Sequence, residues 1–312
     1  MHDVIVSLGG STLSEARTCA HRFLERSGSA RSFDDPGRKR NVPAAALALG
    51  RARTRHKVRG TSELRARVQA VLDAWRLEVL SAVGIREDDA GDAAATAATA
   101  QALLSRIDRA LGLLDPNKLA IEITAIQKQL YELGLKSAAA EVGLSFDLPP
   151  EGAIVAMQHA NLVFARQVVQ RQMIAIRAAL VAGLEAGDGV SEIGDRIRDV
   201  FDDGMHIIGA DGAVARVIPA DAWIEQVART EVSRAMNAAI FDVYRAVGVE
   251  QVMWVAAEDE RTCPLCDEAD GCVVAIGQPF PGVEVENSPG HVSCRCTTVS
   301  VGYAGGSDAA AA

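Results

Sequence analysis

Cys263-Pro264-Leu265-Cys266 and, after a loop, His291-Val292-Ser293-Cys294-Arg295-Cys296 hold four of the six cysteines of this chain and place a histidine beside the second pair. Thiolates and imidazole at this spacing suit a tetrahedral zinc ion, with Zn–S near ~2.3 Å and Zn–N near ~2.0 Å. The first pair is read as a knuckle that wraps a metal from a tight turn stiffened by Pro264. The second pair arrives later in the chain and closes the shell. Five donors exceed the four that a tetrahedral ion needs. The best set is Cys263, Cys266, His291 and Cys294, with Cys296 as the alternate. Cys272 opens the strand-like run Cys272-Val273-Val274-Ala275-Ile276, and Cys19 is remote.

The alternative for these cysteines is disulfide pairing or thiols that hold no metal. Met1-His2-Asp3-Val4 lacks the basic start of a secretory signal, and the apolar run after it is short. A reducing compartment is therefore expected, where clustered cysteines serve metals more often than disulfides. A catalytic zinc keeps a position open for water and has a nearby proton carrier. Here protein donors fill the shell. The His-x-Glu of zinc deaminases and the His-Glu-x-x-His of metalloproteases do not occur. The expected zinc is structural: it holds a small, loop-rich module together.

Outward from this cluster the sequence reads as mainly helical. Of its 312 residues, 49% are hydrophobic and only 4% aromatic, which favours helices packed on small side chains. A net charge of −9 argues against a general nucleic-acid coat. The first sixty residues break that trend, with Arg17, Arg22, Arg26, Arg31, Arg38, Lys39, Arg40, Arg51, Arg53, Arg55, Lys57 and Arg59 against five acids. They are read as a basic, loosely ordered arm over 1–60, with contact to nucleic acid or an acidic partner as the sharper alternative.

A helical region is expected over 61–203. Thr61-Ser62-Glu63-Leu64 offers a start signal, and Leu64, Val68, Val71, Leu72, Trp75, Val79 and Leu80 recur at helical spacing until Gly84. A second helix runs through Ile107 and Leu111 to Asp115-Pro116, and a third through Leu119, Ile123, Ile126, Leu130 and Leu133 to Gly134 or Gly143. Pro149-Pro150 precedes the longest pattern, where Val155, Leu162, Val169 and Ile176 fall seven apart and continue with Met173, Leu180 and Leu184. Arg166, Gln167, Gln170, Arg171 and Gln172 exclude a membrane span there. His159 reads as a packed or surface residue, and Ser191 caps a short helix to Phe201.

The C-terminal domain is expected over 204–303. It opens with a hairpin from Gly204 to Ile218 around Ala210-Asp211-Gly212. A helix from Pro219 to Gly248 and a strand at Val252-Met253-Trp254-Val255-Ala256 lead into the cysteine module. Residues 304–312 read as a disordered tail. The fold class is mainly α: long helices followed by a small α+β domain stapled by a zinc-type Cys/His cluster.

Along this last third stand Ala228-Arg229-Thr230-Glu231 and Asn237, then Trp254, then Asp259-Glu260-Arg261-Thr262-Cys263, Asp270-Gly271, and finally Cys294-Arg295-Cys296. This ordered set resembles the phage Mu F-like family of minor head, or head morphogenesis, proteins. The hairpin looks like an insertion, and the basic N-terminus has no counterpart. Thr230 and Asn237, seven apart, share one helix face. Arg229 and Glu231 are expected to anchor the helix to the strand and zinc module, and Asp259 to pair with Arg261 or Arg229, so that with Trp254, Gly271 and Arg295 they form a buried structural network.

The resemblance implies a non-enzymatic virion component present in few copies. It would sit inside the procapsid near the portal vertex, after assembly in the host cytoplasm. Implied partners are the portal protein, other capsid or scaffold components and packaged DNA, with no membrane. Two rivals are a zinc-stapled HNH-like nuclease and a DNA-binding protein that uses the basic arm. No Asp-His pair precedes a proline here, which weighs against the nuclease.

Overall fold

The computed structural model describes residues 42–83, 97–144, 151–209, 212–257 and 262–302. It is mostly helical, in the order α1 (Ala44–Val83), α2 (Ala97–Leu111), α3 (Pro116–Glu141), α4 (Glu151–Ala186), α5 (Val190–Asp203), β1 (Met205–Ile208), β2 (Val214–Ile218), α6 (Ala220–Ala246), β3 (Gln251–Val255), α7 (Pro264–Ala269), β4 (Val273–Ala275) and β5 (Thr297–Val301). The expected mainly helical class with a small C-terminal strand region is what forms.

The chain divides into two compact units, each discontinuous in sequence. The described residues of 66–123 and 158–224 form the first, and those of 42–65, 124–157 and 225–302 the second. This differs from the expected break at 203/204, because the hairpin belongs to the first unit. Its strands pair antiparallel, Met205 opposite Ile218, and both of these residues are buried. In that unit Val68, Trp75, Val79, Ile107, Leu119, Ile123, Ile176, Leu180, Ile193, Ile197 and Ile224 are all fully or nearly fully buried.

The sevenfold stripe of α4 is buried at Val169, Ile176 and Leu180, but Val155 at its start is 62% exposed. His159 is exposed, as a surface histidine would be. The cap of α5 is Gly189 and not Ser191: the Gly189 amide donates to Glu192 Oε2 at 2.6 Å, satisfying a donor at the helix start.

In the second unit a three-stranded sheet runs β4-β3-β5, antiparallel throughout, with Trp254 opposite Thr298 and Val252 opposite Val274. Val42, Met253, Val255 and Val299 form one apolar cluster, covered by Ala46, Leu47 and Leu49 of α1.

The start of α1 corrects the sequence reading. The helix begins at Ala44 and not at Thr61, so the last part of the expected 1–60 arm is ordered structure; the earlier part lies outside the described residues. The glycines and arginines that suggested a loose arm have packing roles. A Cβ on Gly50 would meet Val255 Cγ1 at 2.9 Å, and one on Gly60 would meet Leu130 Cδ1 at 2.9 Å. Arg53 and Lys57 are 1% and 3% exposed. Arg53 donates to Glu141 Oε2 at 2.7 Å, to Ser137 Oγ at 2.9 Å and to the Thr298 carbonyl at 2.7 Å, joining α1, α3 and β5. The Tyr244 hydroxyl donates to the same Glu141 oxygen at 2.5 Å, and Ser300 binds the other oxygen through its amide and hydroxyl, each at 2.8 Å.

Candidate metal centre

The first pair of cysteines sits at the start of α7. Cys263 is the N-cap, Pro264 follows it, and the Cys266 amide donates to Cys263 Sγ at 3.4 Å. The expected knuckle is thus a short helix whose cap is a sulfur. Pro suits this position because the first amide of a helix has no partner within it.

Trp254 fixes the turn that leads from α7 into β4. Its carbonyl accepts the Gly271 amide at 2.9 Å and its amide donates to the Cys272 carbonyl at 3.0 Å. Gly271 has φ +76°, a left-handed turn that glycine adopts at little cost. The Trp254 ring is fully buried and meets Phe280 edge-on, with centroids 5.2 Å apart. Cys272 leads into β4 as read, with Sγ directed to the Glu268 carbonyl at 3.5 Å.

The second arm enters β5. Ser293 has φ +64°, and the Cys294 amide donates to the His291 carbonyl at 3.2 Å, so this segment turns back on itself. The turn brings His291 Nε2 to 3.0 Å from Cys263 Sγ and 3.2 Å from Cys266 Sγ; Cys266 Sγ is 3.8 Å from Cys294 Sγ. The donor atoms form two overlapping groups, Cys263–Cys266–His291 and Cys266–Cys294–Cys296, each with all atoms within 4.8 Å of one another. All five candidate donors are therefore brought together, with Cys266 common to both groups.

This arrangement fits a metal. Zn–S bonds near ~2.3 Å place two sulfurs of a tetrahedron about 3.8 Å apart. His291 Nδ1 lies 2.8 Å from the Val292 carbonyl, an acceptor only, so Nδ1 carries a proton and Nε2 is the nitrogen available to an ion. Without an ion the cluster shares protons unevenly. The hydrogen bond from Cys266, and then His291, hold Cys263 down at about 4 against the effect of burial. Hydrogen bonds to Cys263, Cys294 and Cys296 push the Cys266 thiol up. Cys294 is held well below its usual range by hydrogen bonds from Cys266 and Cys296. For Cys296 the bond to Cys266 lowers its value, but Cys294 and burial outweigh it and push it up. Burial draws His291 down, yet the Cys263 and Cys294 thiolates outweigh it and raise it to about 9.

One face of α6 grips the second arm by its backbone. Thr230 Oγ1 accepts the Ser293 amide at 2.9 Å, Ser233 Oγ donates to the Cys294 carbonyl at 2.8 Å, and Asn237 Nδ2 donates to the Cys296 carbonyl at 3.2 Å. The shared face expected for Thr230 and Asn237 is present. Ser233 was missed, although its spacing of three from Thr230 puts it on that face. Also missed were Ser288, whose hydroxyl donates to the Cys296 carbonyl at 2.6 Å, and Lys57, whose Nζ lies 2.7 Å from the same oxygen. Burial lowers Lys57 to about 8, opposed by Cys294 and Cys296 and assisted by Arg53.

Two expected anchors lie elsewhere. Arg229 pairs with Glu225 one turn back on its own helix, and Glu231 accepts from Gln127 Nε2 at 2.8 Å and from Arg234 at 2.5 Å. Glu231 therefore ties α6 to α3, away from the strand and cysteine module. Arg295 is half-buried between its two cysteines. Asp259 and Arg261 lie outside the described residues.

Residues 175–299 match the family model described as phage Mu protein F like protein. This segment belongs to that family. The match contains every donor of the cluster and the gripping face of α6, and it supports a role in phage head morphogenesis. The matched span begins well before Ala228, where the resemblance read from the sequence starts, and it includes the hairpin. Neither the curated proteins nor the solved structures compared with the chain gave a match.

Proposed function

We propose that this Mu F-like chain is a non-enzymatic minor head protein that acts inside the procapsid beside the portal, with a structural zinc ion in the Cys/His cluster. Its partners in this reading are the portal protein and other capsid or scaffold components, and its final location is the virion interior. The carrying observation is a pair of three-donor groups, Cys263–Cys266–His291 and Cys266–Cys294–Cys296, that share Cys266 and lie within the family-matched segment. Such a set leaves no position for water or substrate on a tetrahedral ion, which favours a staple over a catalyst. Cys263, Cys266, His291 and Cys294 are the proposed ligands and Cys296 the spare thiol.

No helix among the described residues is long and apolar enough to cross a membrane. Quantitative mass spectrometry of purified particles tests the assembly role. A few copies per particle, at or below the portal's own number, is the expected result; absence from particles would overturn it. The nuclease reading is disfavoured because His291 Nε2 faces two sulfurs. Mg²⁺-dependent plasmid nicking lost in His291→Ala would restore it.

Contact with packaged DNA is a second part of the proposal, favoured by α1. Arg51, Arg55 and Arg59 recur every four residues, are exposed, and lie in a stretch from 44 to 62 without an acidic residue. Binding through this face should weaken steeply with salt. It should fail when the three arginines become glutamine; unchanged binding in that variant would exclude the face.

A further inference from the structure

Arg53 and Lys57 lie one turn apart on α1, both buried, and they differ in what balances their charge. Arg53 has a carboxylate partner in Glu141 at 2.7 Å. Lys57 has none among the described residues. Its Nζ contacts the Cys296 carbonyl at 2.7 Å, Asn237 Oδ1 at 3.2 Å and the Arg295 carbonyl at 3.5 Å. All three are neutral acceptors. They satisfy the N–H groups and leave the ammonium charge uncompensated, an arrangement that is costly in a buried site.

The groups able to supply the opposing charge are carried by the loop that Lys57 holds, namely the thiols of Cys294 and Cys296 and the cluster they share with Cys266. A divalent ion bound by three thiolates and one neutral imidazole has a single net negative charge. Four thiolates would give it two. One buried ammonium neutralises the first centre and leaves the second charged.

We propose that Lys57 is the counter-ion of the metal centre and matches it to a divalent ion held by three thiolates and His291. The inference rests on the proposed metal centre and goes beyond it, because Lys57 lies outside the matched span of 175–299. Lys57 acts here as a positioning residue. It fixes the carbonyl of Cys296 and lowers the cost of burying the thiolates, so the ion is held more tightly when α1 is docked.

The test uses the full chain. Zinc affinity is measured by competition with a chromophoric chelator for the wild type, Lys57→Met and Lys57→Arg. Lys57→Met keeps the length of the side chain and removes its charge, and it should weaken zinc binding by about 10- to 100-fold, the usual effect of losing a group that supports metal ligands. Lys57→Arg should recover most of that loss. Wild-type affinity in Lys57→Met, or Lys57→Arg as weak as Lys57→Met, overturns the counter-ion role while the metal centre stands.

Zinc X-ray absorption on the wild type needs no variant to fold. Three sulfurs and one nitrogen support the proposal, and four sulfurs overturn it. A wild-type protein that takes up no stoichiometric zinc overturns the metal centre itself, and the counter-ion with it.

Discussion

The Ser233 hydroxyl on α6 donates to the Cys294 carbonyl at 2.8 Å, so the helix holds the second cysteine arm by its backbone and leaves the sulfurs to face one another. Thr230 and Asn237 do the same on either side. Short polar side chains at i, i+3 and i+7 of a buried helix face thus replace the ladder that a loop lacks. These three bonds go to the backbone of the arm and do not consume the lone pairs of its sulfurs.

Asn237 carries the most connections and should be the most sensitive position on that face. Its Oδ1 accepts from Lys57 Nζ at 3.2 Å and Thr297 Oγ1 at 2.9 Å, and its Nδ2 donates to Cys296. Asn237→Ala strands several buried groups at once and should destabilise the second unit by about 2–4 kcal/mol. Urea denaturation followed by circular dichroism measures this. A loss below about 1 kcal/mol, the worth of one ordinary hydrogen bond, would mean that water or local repacking replaces the amide.

Arg53 and Glu141 should behave as a unit. Removing one member of a buried ion pair leaves the other uncompensated, so Arg53→Met should cost about 3–5 kcal/mol. Glu141→Gln should cost less, because the single amide oxygen can still accept from Ser300 and the amide NH2 can donate to the Tyr244 hydroxyl. The double variant should lose markedly less than the two single losses added together. Additive losses in a double-mutant cycle would show that Arg53 and Glu141 act independently.

The cysteine module was legible because its signal is local: two short clusters declare their own chemistry, and periodic apolar residues declare the helices. Lys57 and Arg53 were illegible for the opposite reason. A cation in a stretch rich in Arg and Gly reads as solvated, and nothing nearby in sequence reveals that Glu141 or the Cys296 carbonyl will meet it 88 or more residues away. The error over Arg229 has the same origin. Charge spacing alone did not distinguish Glu225, one turn back on the same helix, from a partner in the module. Arg229→Ala should therefore cost no more than about 0.5 kcal/mol, as for other i,i+4 helix pairs. Thermal unfolding of that variant checks it, and a loss of about 2 kcal/mol or more would restore the network role.

Gly134 marks a close approach between α3 and α6. A Cβ there would lie 2.5 Å from the Met236 carbonyl oxygen and 2.8 Å from Ala239 Cβ. Alanine would improve helix propensity by about 1 kcal/mol, but a backbone oxygen cannot swing aside and overpacking costs about 1–3 kcal/mol. The steric effect should win, and Gly134→Ala should lower stability on denaturant titration. A more stable variant would show that the two helices can separate at little cost.

His206 should make the first unit sensitive to mild acid. Its ring is buried at the start of the hairpin with Nδ1 unpartnered, and burial lowers its pKa below the ordinary 6.5, opposed by the Gly204 backbone and Asp203. Below about 6.5 the unfolded chain therefore takes up a proton that the folded chain resists, so stability is retained above that pH and lost as pH falls from it towards the depressed folded value. Unfolding of the wild type and His206→Gln should be compared at pH 7.5 and 6.0. Their difference cancels titrations common to both, including that of His291. The wild type should lose more stability on acidification than the variant, which has no imidazole at this position to protonate. Equal losses would place the acid sensitivity elsewhere.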